Sequence, residues 1–251
     1  MSRATPARII GLGGVDLKKT SIGSMPEADD KVGFIAVNTY IGTRYSLGEG
    51  PMNDAVSMAK MLKIGGYKIY FLENGKKNQY LQWLQYFFKS TKDHLFCYYV
   101  GHGSHTADTS GDEADGQDEA LFFEDGLLVD DILVDSLMDN KDPASKVTLV
   151  SDACHSGTVW DIQGGNVKGR RLPPNIISIS AASDKQTAKQ TVVDREEQGI
   201  FTHQMKKIVK LNPKVTPGEI RSQMQNQLKK FQQTMNIGTT SNELIDQPLL
   251  E

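Results

Sequence analysis

The chain has 251 residues, of which 38% are hydrophobic and 24% charged, with a formal net charge of −3. This length allows one large or two small domains, and the composition excludes collagen, coiled coils and wholesale disorder. No apolar run approaches the roughly 18 residues of a membrane span, and the first residues lack the apolar core of a signal peptide. Two cysteines are too few for a disulfide framework, so we expect a soluble protein of a reducing compartment, the cytoplasm or the nucleus.

The acidic residues are concentrated in one segment. Residues 108–142 hold thirteen Asp or Glu against one Lys, and the remainder of the chain is net basic. Blocks of like charge are commonly solvated tails, but apolar runs at 121–123 and 127–129 interrupt this one. We therefore expect the acidic segment to fold.

The predicted elements alternate between strands and helices along most of the chain. Residues 1–30 are interpreted as an N-terminal extension and residues 31–251 as one domain. Continuous apolar runs predict strands covered on both faces, as in a parallel sheet between helical layers, at 32–37, 68–72, 95–100, 147–150 and 176–179. Apolar residues at 3–4 spacing predict helices at 50–65, 80–88, 131–138, 201–211 and 217–231. The polar tail after Met235 is expected to be irregular.

Two turns that carry reactive side chains follow two of these strands. His102 lies between two glycines directly after the strand at 95–100. Cys154 follows the strand at 147–150, in a turn that ends with a serine and a glycine. In an open parallel sheet such turns gather outside the carboxyl ends of the strands. A thiolate can attack a carbonyl carbon while a nearby imidazole handles the proton, so the pattern predicts a Cys–His catalytic pair.

The other cysteine and the glycine-rich loops carry weaker signals. Cys97 lies inside a predicted strand, where a cysteine is usually a small buried hydrophobe. Neither the glycine-bearing loop at 101–103 nor that at 164–171 has the spacing of a dinucleotide or phosphate-binding motif. The sequence therefore offers no nucleotide site.

The motifs around these turns resemble those of type I metacaspases, which are caspase-fold cysteine peptidases. The resemblance rests on YYVGHG at 98–103, the acidic GDEADGQDE at 111–119 and DACHSG at 152–157, with weaker matching stretches over roughly 31–233. It implies a caspase-like α/β fold with a mainly parallel six-stranded sheet between helices, and a monomer. It also implies Cys154 as nucleophile, His102 as general acid and base, and backbone N–H groups of Gly103 and Cys154 as the oxyanion hole. No prodomain is evident before the domain.

Two aspartates are the candidates for substrate recognition. Asp152 lies two residues before the predicted nucleophile, and Asp54 lies in the turn at 53–55. Carboxylates select Arg or Lys, and both positions match the acidic specificity pocket of the family. The alternative for Asp54 is a favourable charge at a helix N-terminus. Val100 and Pro51 depart from the family pattern, which usually has Ser and Cys there, so the preference of the pocket is open.

The acidic block suggests calcium, which takes six to eight oxygen ligands. Its spacing excludes an EF-hand loop. By resemblance, calcium-activated metacaspases use four aspartates that match Asp118, Asp130, Asp131 and Asp161. The alternative for Asp130 and Asp131 is that they cap the following helix. Zinc is disfavoured, because the available ligands lack any familiar spacing: His102, His105, Cys154 and His155.

Basic residues form the last group of candidate sites. An enzyme that cuts after Arg or Lys would find exposed basic loops of its own chain susceptible, and the candidate positions are Lys18, Lys19, Lys168, Arg170, Arg171, Lys185 and Lys189. A weak nucleic-acid patch is the alternative for some of them, but we expect neither a nucleic-acid nor a membrane partner.

The sequence thus predicts a calcium-stimulated cysteine endopeptidase that cleaves protein or peptide substrates after Arg or Lys and processes itself. Two alternatives remain open at this point. One is another caspase-clan peptidase, of paracaspase-like or legumain-like specificity. The other is a catalytically idle interaction module that keeps the fold, which the departures at Val100 and Pro51 would suit.

Overall fold

A computed structural model describes residues 5–25, 30–107, 116–153, 159–160, 162, 166–167, 170–182, 190–193 and 196–251. Within them the central sheet has seven strands in the order β1-β3-β2-β4-β8-β11-β14. The six strands from β1 to β11 run parallel and β14 pairs antiparallel with β11. The strands are β1 (Val15–Asp16), β2 (Lys31–Val37), β3 (Lys68–Glu73), β4 (His94–Val100), β8 (Lys146–Asp152), β11 (Ile176–Ser180) and β14 (Asn236–Thr239).

The five predicted apolar runs are confirmed as the interior strands, and burial on both faces explains why they are continuous. Successive side chains of a strand point to opposite faces. In β4, Phe96 and Tyr98 pack into one core cluster, whereas Cys97 and Tyr99 pack into the other. Neither face of the strand meets solvent, so no polar alternation is required.

Helices cover both faces of the sheet. The helices are α1 (Pro6–Gly11), α2 (Gly50–Ile64), α3 (Lys77–Ser90), α4 (Asp130–Asn140), α5 (Ile200–Leu211) and α6 (Pro217–Lys230). The core residues of α1, α2, α5 and α6 belong to one cluster, and those of α3 and α4 to the other. The five helices that periodicity predicted are confirmed, and α6 begins with a capping box between Thr216 and Glu219.

The acidic segment folds in part into a second sheet. Its strands β5 (Gly103–Ala107), β6 (Gln117–Phe123) and β7 (Gly126–Val129) pair antiparallel in chain order. The expectation that this segment folds is confirmed for the described part, because Leu121, Phe123 and Leu128 are buried in the core. Two further hairpins lie between β8 and α5: β9 (Asn166–Val167) with β10 (Arg170–Arg171), and β12 (Gln190–Val193) with β13 (Glu196–Gly199).

Both ends of the described chain pack against the domain. In the segment interpreted as an extension, Val15 and Asp16 pair with Tyr70 and Phe71 at the sheet edge, and Ile9 and Leu17 are fully buried. With this short edge strand the sheet has seven strands, whereas six were expected. The expected irregular tail is wrong, because residues after Met235 form β14 and bury Leu249 and Leu250.

None of the helices in the described ranges has both the length and the apolar character that crossing a bilayer demands.

Candidate active site

The two predicted catalytic turns leave the sheet side by side. Strands β4 and β8 are parallel neighbours, with Tyr98 opposite Val150 and Val100 opposite Asp152. The chain continues to His102 from one strand and towards Cys154 from the other. Cys154 lies outside the described residues, so the distance between its sulfur and the imidazole stays a prediction, as does its part in the oxyanion hole. The other predicted oxyanion donor, Gly103, begins β5 opposite Leu121.

Hydrogen bonds fix the position of His102 from three sides. Its Nε2 lies 2.7 Å from the carbonyl oxygen of Tyr45, its backbone N–H donates to the Tyr40 hydroxyl at 3.0 Å, and its carbonyl accepts from the Tyr99 hydroxyl at 2.8 Å. A carbonyl oxygen can only accept, so in the neutral ring Nε2 carries the hydrogen. The lone pair of Nδ1 is then available to accept a proton.

Tyr40 and Tyr45 are site residues that the sequence analysis missed. Both lie on the turn between β2 and α2, and Tyr45 precedes His102 by 57 residues. The Tyr40 ring also packs against the imidazole at a tilt of 34°, with ring centroids 4.9 Å apart. A backbone carbonyl leaves no trace in side-chain patterns, so sequence offered no signal for the contact of Tyr45.

Asp54 and Asp152 come together in the interior. Their exposed fractions are 1% and 6%, and both Oδ2 atoms face the backbone of Gly199 at the start of α5. The Gly199 N–H donates to Asp54 Oδ2 at 2.8 Å. A side-chain carbon at position 199 would lie 2.8 Å from Oδ2 of both aspartates, so any other residue there would force the carboxylates to shift.

The Asp152 carboxylate is held by the first turn of α5 and by β4. The Thr202 hydroxyl donates to Asp152 Oδ2 at 2.7 Å. Because that hydroxyl has only one hydrogen, the Tyr98 hydroxyl, 2.7 Å from Thr202 Oγ1, donates to it. Thr202 belongs to a stretch on which the family resemblance rested, but neither it nor Tyr98 was predicted to hold this carboxylate.

Burial and mutual repulsion make the two carboxyl groups hard to ionise. Burial, followed by the charge of Asp152, raises the pKa of Asp54 well above its ordinary value. Burial likewise raises the pKa of Asp152 to about 6, although hydrogen bonds from the hydroxyl and the backbone N–H of Thr202 oppose the shift. A buried charge of this kind normally has an oppositely charged partner.

The described residues supply no ion pair to either carboxylate. Asp54 Oδ1 is buried and has no hydrogen-bond partner among them. Lys206 is a cation whose field lowers the pKa of Asp54, but its Nζ lies 3.3 Å from Ser57 Oγ instead. Within the described residues the pair thus has hydrogen-bond donors but no countercharge in direct contact.

Three of the four predicted calcium ligands lie close to one another. Asp118 is on β6, and Asp130 and Asp131 begin α4 directly after β7, whose pairing with β6 brings the two segments together. Asp118 and Asp130 are buried. Burial, and the charges of Glu119, Asp118 and Asp131, raise the pKa of Asp130 to about 8. Asp161 lies outside the described residues.

Asp130 and Asp131 occupy the first turn of α4, and Asp130 Oδ1 accepts from the Asp131 N–H at 2.7 Å. The N-cap residue is Val129, without a side-chain cap, so neither aspartate has the capping role that was the alternative, and Asp130 only accepts a hydrogen bond within the first turn. In the described part of the chain no three His, Cys, Asp or Glu side chains are arranged to hold a metal ion. Of the residues considered for zinc, Cys154 and His155 lie outside that part. Hard oxygen donors are nevertheless of the kind that calcium takes.

The predicted self-cleavage positions divide into two groups. Lys18 and Lys19 are exposed on the 3₁₀ turn Leu17–Lys19, and Arg170 and Arg171 are exposed on β10. Arg170 pairs with two residues of α4, at 3.3 Å from Asp135 and 2.8 Å from Asp139. The remaining positions lie outside the described residues: Lys168, Lys185 and Lys189.

The other residues that the sequence singled out, Val100, Pro51 and Cys97, have packing roles. Val100 is buried in the core cluster on the side of α2, and Pro51 lies in the first turn of α2, a position that proline suits. Cys97 is buried, and burial raises the pKa of its thiol above the usual range. Cys97 is therefore kept as an unreactive thiol.

A family model described as Caspase domain matches residues 32–247. The chain belongs to the caspase domain family. Relatives of this caspase domain include Metacaspase-1 of Lodderomyces elongisporus, 33% identical over 55% of the chain and 36% of the relative. Metacaspase-1A of Neurospora crassa is 43% identical over 28% of the chain and 16% of the relative. Metacaspase-1 of Candida albicans is 32% identical over 61% of the chain and 39% of the relative. The chain thus spans well under half the length of these relatives.

Solved structures confirm the caspase-like fold. A protein from Geobacter sulfurreducens superposes with a TM-score of 0.68 and 22% identity, over 88% of this chain and 98% of that one. Caspase-1 from Spodoptera frugiperda superposes with a TM-score of 0.61 and 13% identity, over 86% and 89% of the two chains. The predicted resemblance to a metacaspase-like caspase domain is confirmed.

Proposed function

We propose that this caspase domain is a cysteine endopeptidase that cleaves peptide bonds after Arg or Lys. The observation that carries the specificity is the buried Asp54–Asp152 pair, which has no ion pair among the described residues. A guanidinium or ammonium group entering beside Gly199 would relieve the repulsion between the two carboxylates and form charge-assisted hydrogen bonds. The same pair would repel an acidic side chain, which argues against cleavage after Asp.

The position of His102 supports the chemistry proposed for the catalytic pair. The Cys154 thiol passes its proton to the imidazole, and the thiolate attacks the carbonyl carbon after Arg or Lys. The imidazolium then gives that proton to the departing amine as the carbon–nitrogen bond breaks and a thioester remains. Water, deprotonated by the same imidazole, hydrolyses the thioester and restores the thiol. The carbonyl of Tyr45 keeps the ring in place through both steps.

A fluorogenic peptide series tests the proposal. Matched peptides differ only in the residue before the cut, which is Arg, Lys, citrulline or Asp. We expect turnover of the Arg and Lys peptides alone and none with Cys154→Ala. Citrulline has nearly the shape of Arg without the charge, so equal turnover of the citrulline peptide would contradict the carboxylate argument. No turnover of any peptide, together with a Cys154 that is alkylated no faster than Cys97, would favour the idle module.

Calcium stimulation is part of the proposal. Asp118, Asp130 and Asp131, with Asp161, would hold the ion, which would supply positive charge to a cluster that otherwise repels itself. We expect calcium to raise both the turnover and the melting temperature, and Asp118→Asn to weaken calcium binding in calorimetry by about tenfold or more. Glu124→Gln, on the exposed β6–β7 turn, removes the same charge and is the control. Equal affinity of the two variants would exclude the site.

Self-processing is the third part of the proposal. The exposed Lys18, Lys19, Arg170 and Arg171 are the described candidates. Intact mass spectrometry after calcium addition should show fragments ending in Lys or Arg in the wild type and none in Cys154→Ala. Fragments ending in other residues would point to a different specificity or a contaminating protease.

We also propose that the enzyme acts as a monomer, as its resemblance to metacaspases implies. Sedimentation equilibrium across a range of concentrations should give the mass of one chain with and without calcium. A dimer that forms at the concentrations used in activity assays would contradict this.

A further inference from the structure

A groove of about 650 Å³ runs between α2 and α5, away from the catalytic turns. It is lined by Ser57 and Ile64 on α2 and by Val209 on α5, and it reaches Lys31, the first residue of β2. The catalytic turns follow the carboxyl ends of the strands, so the groove opens towards the opposite edge of the sheet. Its volume lies within the range of ordinary ligand sites, and neither the catalytic pair nor the predicted calcium ligands belong to it.

The groove combines an apolar floor with a basic rim. Met61, Val209 and Leu250 are buried beneath it, and Ile64 beside them is 83% exposed. An apolar surface rimmed by polar or charged residues is typical of an interaction site. The basic residues that line the groove are five lysines from three parts of the chain: Lys31, Lys60, Lys206, Lys210 and Lys214.

The charge of the groove is far from balanced. Among its described lining residues Glu251 is the one acidic side chain, and its Oε1 lies 3.5 Å from Lys214 Nζ. The backbone next to Glu251 also contacts lysines, because the carbonyl oxygens of Leu250 and Glu251 accept hydrogen bonds from Lys31 and Lys146 respectively. A stretch with buried leucines followed by a glutamate thus already fits one end of the groove.

We propose that this groove binds an acidic amphipathic segment of a partner protein. The wall formed by α2 from Ser57 to Ile64 is about 10 Å long, which matches about two turns of a bound helix. Apolar side chains at i, i+3, i+4 and i+7 would cover the floor, and flanking Glu or Asp would face the lysines. The apolar floor disfavours a nucleic-acid backbone, which needs polar contacts along its length, and the concave shape disfavours a flat bilayer.

The test uses a labelled peptide of about 16 residues with Leu at those four positions and Glu at most others. It contains no Lys or Arg, so the proposed peptidase cannot cut it, and Cys154→Ala protein is used throughout. Fluorescence anisotropy should show saturable one-to-one binding that weakens as salt is added. Failure of this assay leaves the proposed peptidase function untouched, because the assay requires no turnover.

Matched variants locate the binding. Lys60→Glu combined with Lys210→Glu should weaken the peptide by about tenfold or more, since two attractions become repulsions. Lys89→Glu combined with Lys229→Glu makes the same charge change on exposed residues of α3 and α6, and should stay within about twofold. Ile64→Asp should weaken binding by about fivefold, and its exposure means that the fold tolerates the change.

Four outcomes would overturn the proposal. They are absence of saturable peptide binding, equal weakening in the two lysine pairs, an unchanged affinity in Ile64→Asp, and equal binding of a peptide with Ser in place of Leu. Stronger binding of single-stranded RNA or of phosphatidylserine vesicles in competition with the peptide would also overturn it, and would assign the lysines to a different partner.

Discussion

At the scale of single residues, two buried carboxyl groups lower the stability of the folded protein. Asp54 and Asp152 are buried, and their raised pKa values show that the folded state disfavours their charge. Two neutral amides of the same shape would accept the same hydrogen bonds from Gly199 and Thr202 without that cost. A cationic substrate of the kind proposed above would explain why aspartates lie here, as an exchange of stability for function that is expected at active sites.

The first prediction concerns Asp152→Asn. We expect it to lower kcat/KM for Arg peptides by about 100-fold or more, because a buried charge-assisted bond to the substrate is lost. We also expect it to raise the free energy of unfolding near pH 7.5 by about 1–3 kcal/mol, since the cost of ionising a buried carboxyl group is removed. Urea unfolding and steady-state kinetics measure the two effects. Asp125→Asn on the surface is the control, and a destabilised Asp152→Asn would contradict the argument.

The second prediction concerns pH. The pKa of Asp152 is raised in the folded state to about 6, so its contribution to stability is fully present below its unfolded value near 4 and is lost as pH rises through about 6. The stability gap between wild type and Asp152→Asn should therefore be small at about pH 4 and large above about pH 7. The KM for Arg peptides should rise as pH falls through about 6, because the carboxylate takes up a proton. The same rise of KM near pH 6 in Asp152→Asn would contradict the assignment of this titration to Asp152.

At the scale of elements, the turn between β2 and α2 links the catalytic histidine to the rest of the fold. Tyr40 and Gly42 adopt left-handed backbone conformations, with φ of 52° and 90°, and Thr43 N–H closes the turn on the carbonyl of Tyr40. This path aims the Tyr45 carbonyl at His102 Nε2. The turn thus contacts the histidine through the backbone carbonyl of Tyr45 as well as through the side chain of Tyr40.

The third prediction therefore changes backbone preference without changing contacts. A side-chain carbon at Gly42 would meet no atom within 4 Å, but alanine disfavours its φ by about 1 kcal/mol. We expect Gly42→Ala to lower kcat several-fold through a displaced Tyr45 carbonyl, with KM nearly unchanged. Gly23→Ala also meets no atom and lacks a positive φ, so it serves as the control. Equal kcat in both variants would argue against the role of this turn.

At the scale of the whole molecule, the segment before residue 31 completes the domain. Val15 and Asp16 extend the sheet beyond β3, and α1 places Ile9 in the core cluster of α2. The core on that side therefore depends on residues that precede the stretch matched by the caspase family model.

The fourth prediction tests that dependence with two neighbouring isoleucines. Ile9 is fully buried, whereas Ile10 is 47% exposed. Ile9→Ala should lower the free energy of unfolding by about 2–5 kcal/mol, since it leaves a cavity in the core, and Ile10→Ala by less than about 1 kcal/mol. Chemical denaturation measures both. Equal effects would mean that the first 25 residues do not pack against the domain in solution.

The sequence by itself determined the local features of this protein. Continuous apolar runs and helical spacing located five strands and five helices, because burial on both faces and helical periodicity both produce patterns among residues close together in the sequence. The motifs around His102 and Cys154, through a family resemblance, also indicated the caspase fold and named Asp54 and Asp152.

Only the tertiary structure decided how distant segments meet. It paired Val15 with β3 and added β14 to β11, and it placed the Tyr45 carbonyl on His102. It also enclosed two aspartates 98 residues apart around one glycine of a third segment. Strand pairing and burial depend on long-range packing, and a local sequence pattern does not specify which distant segment will lie beside it. The shift of the Asp152 pKa follows from that enclosure, so it could be known only once the chain was folded.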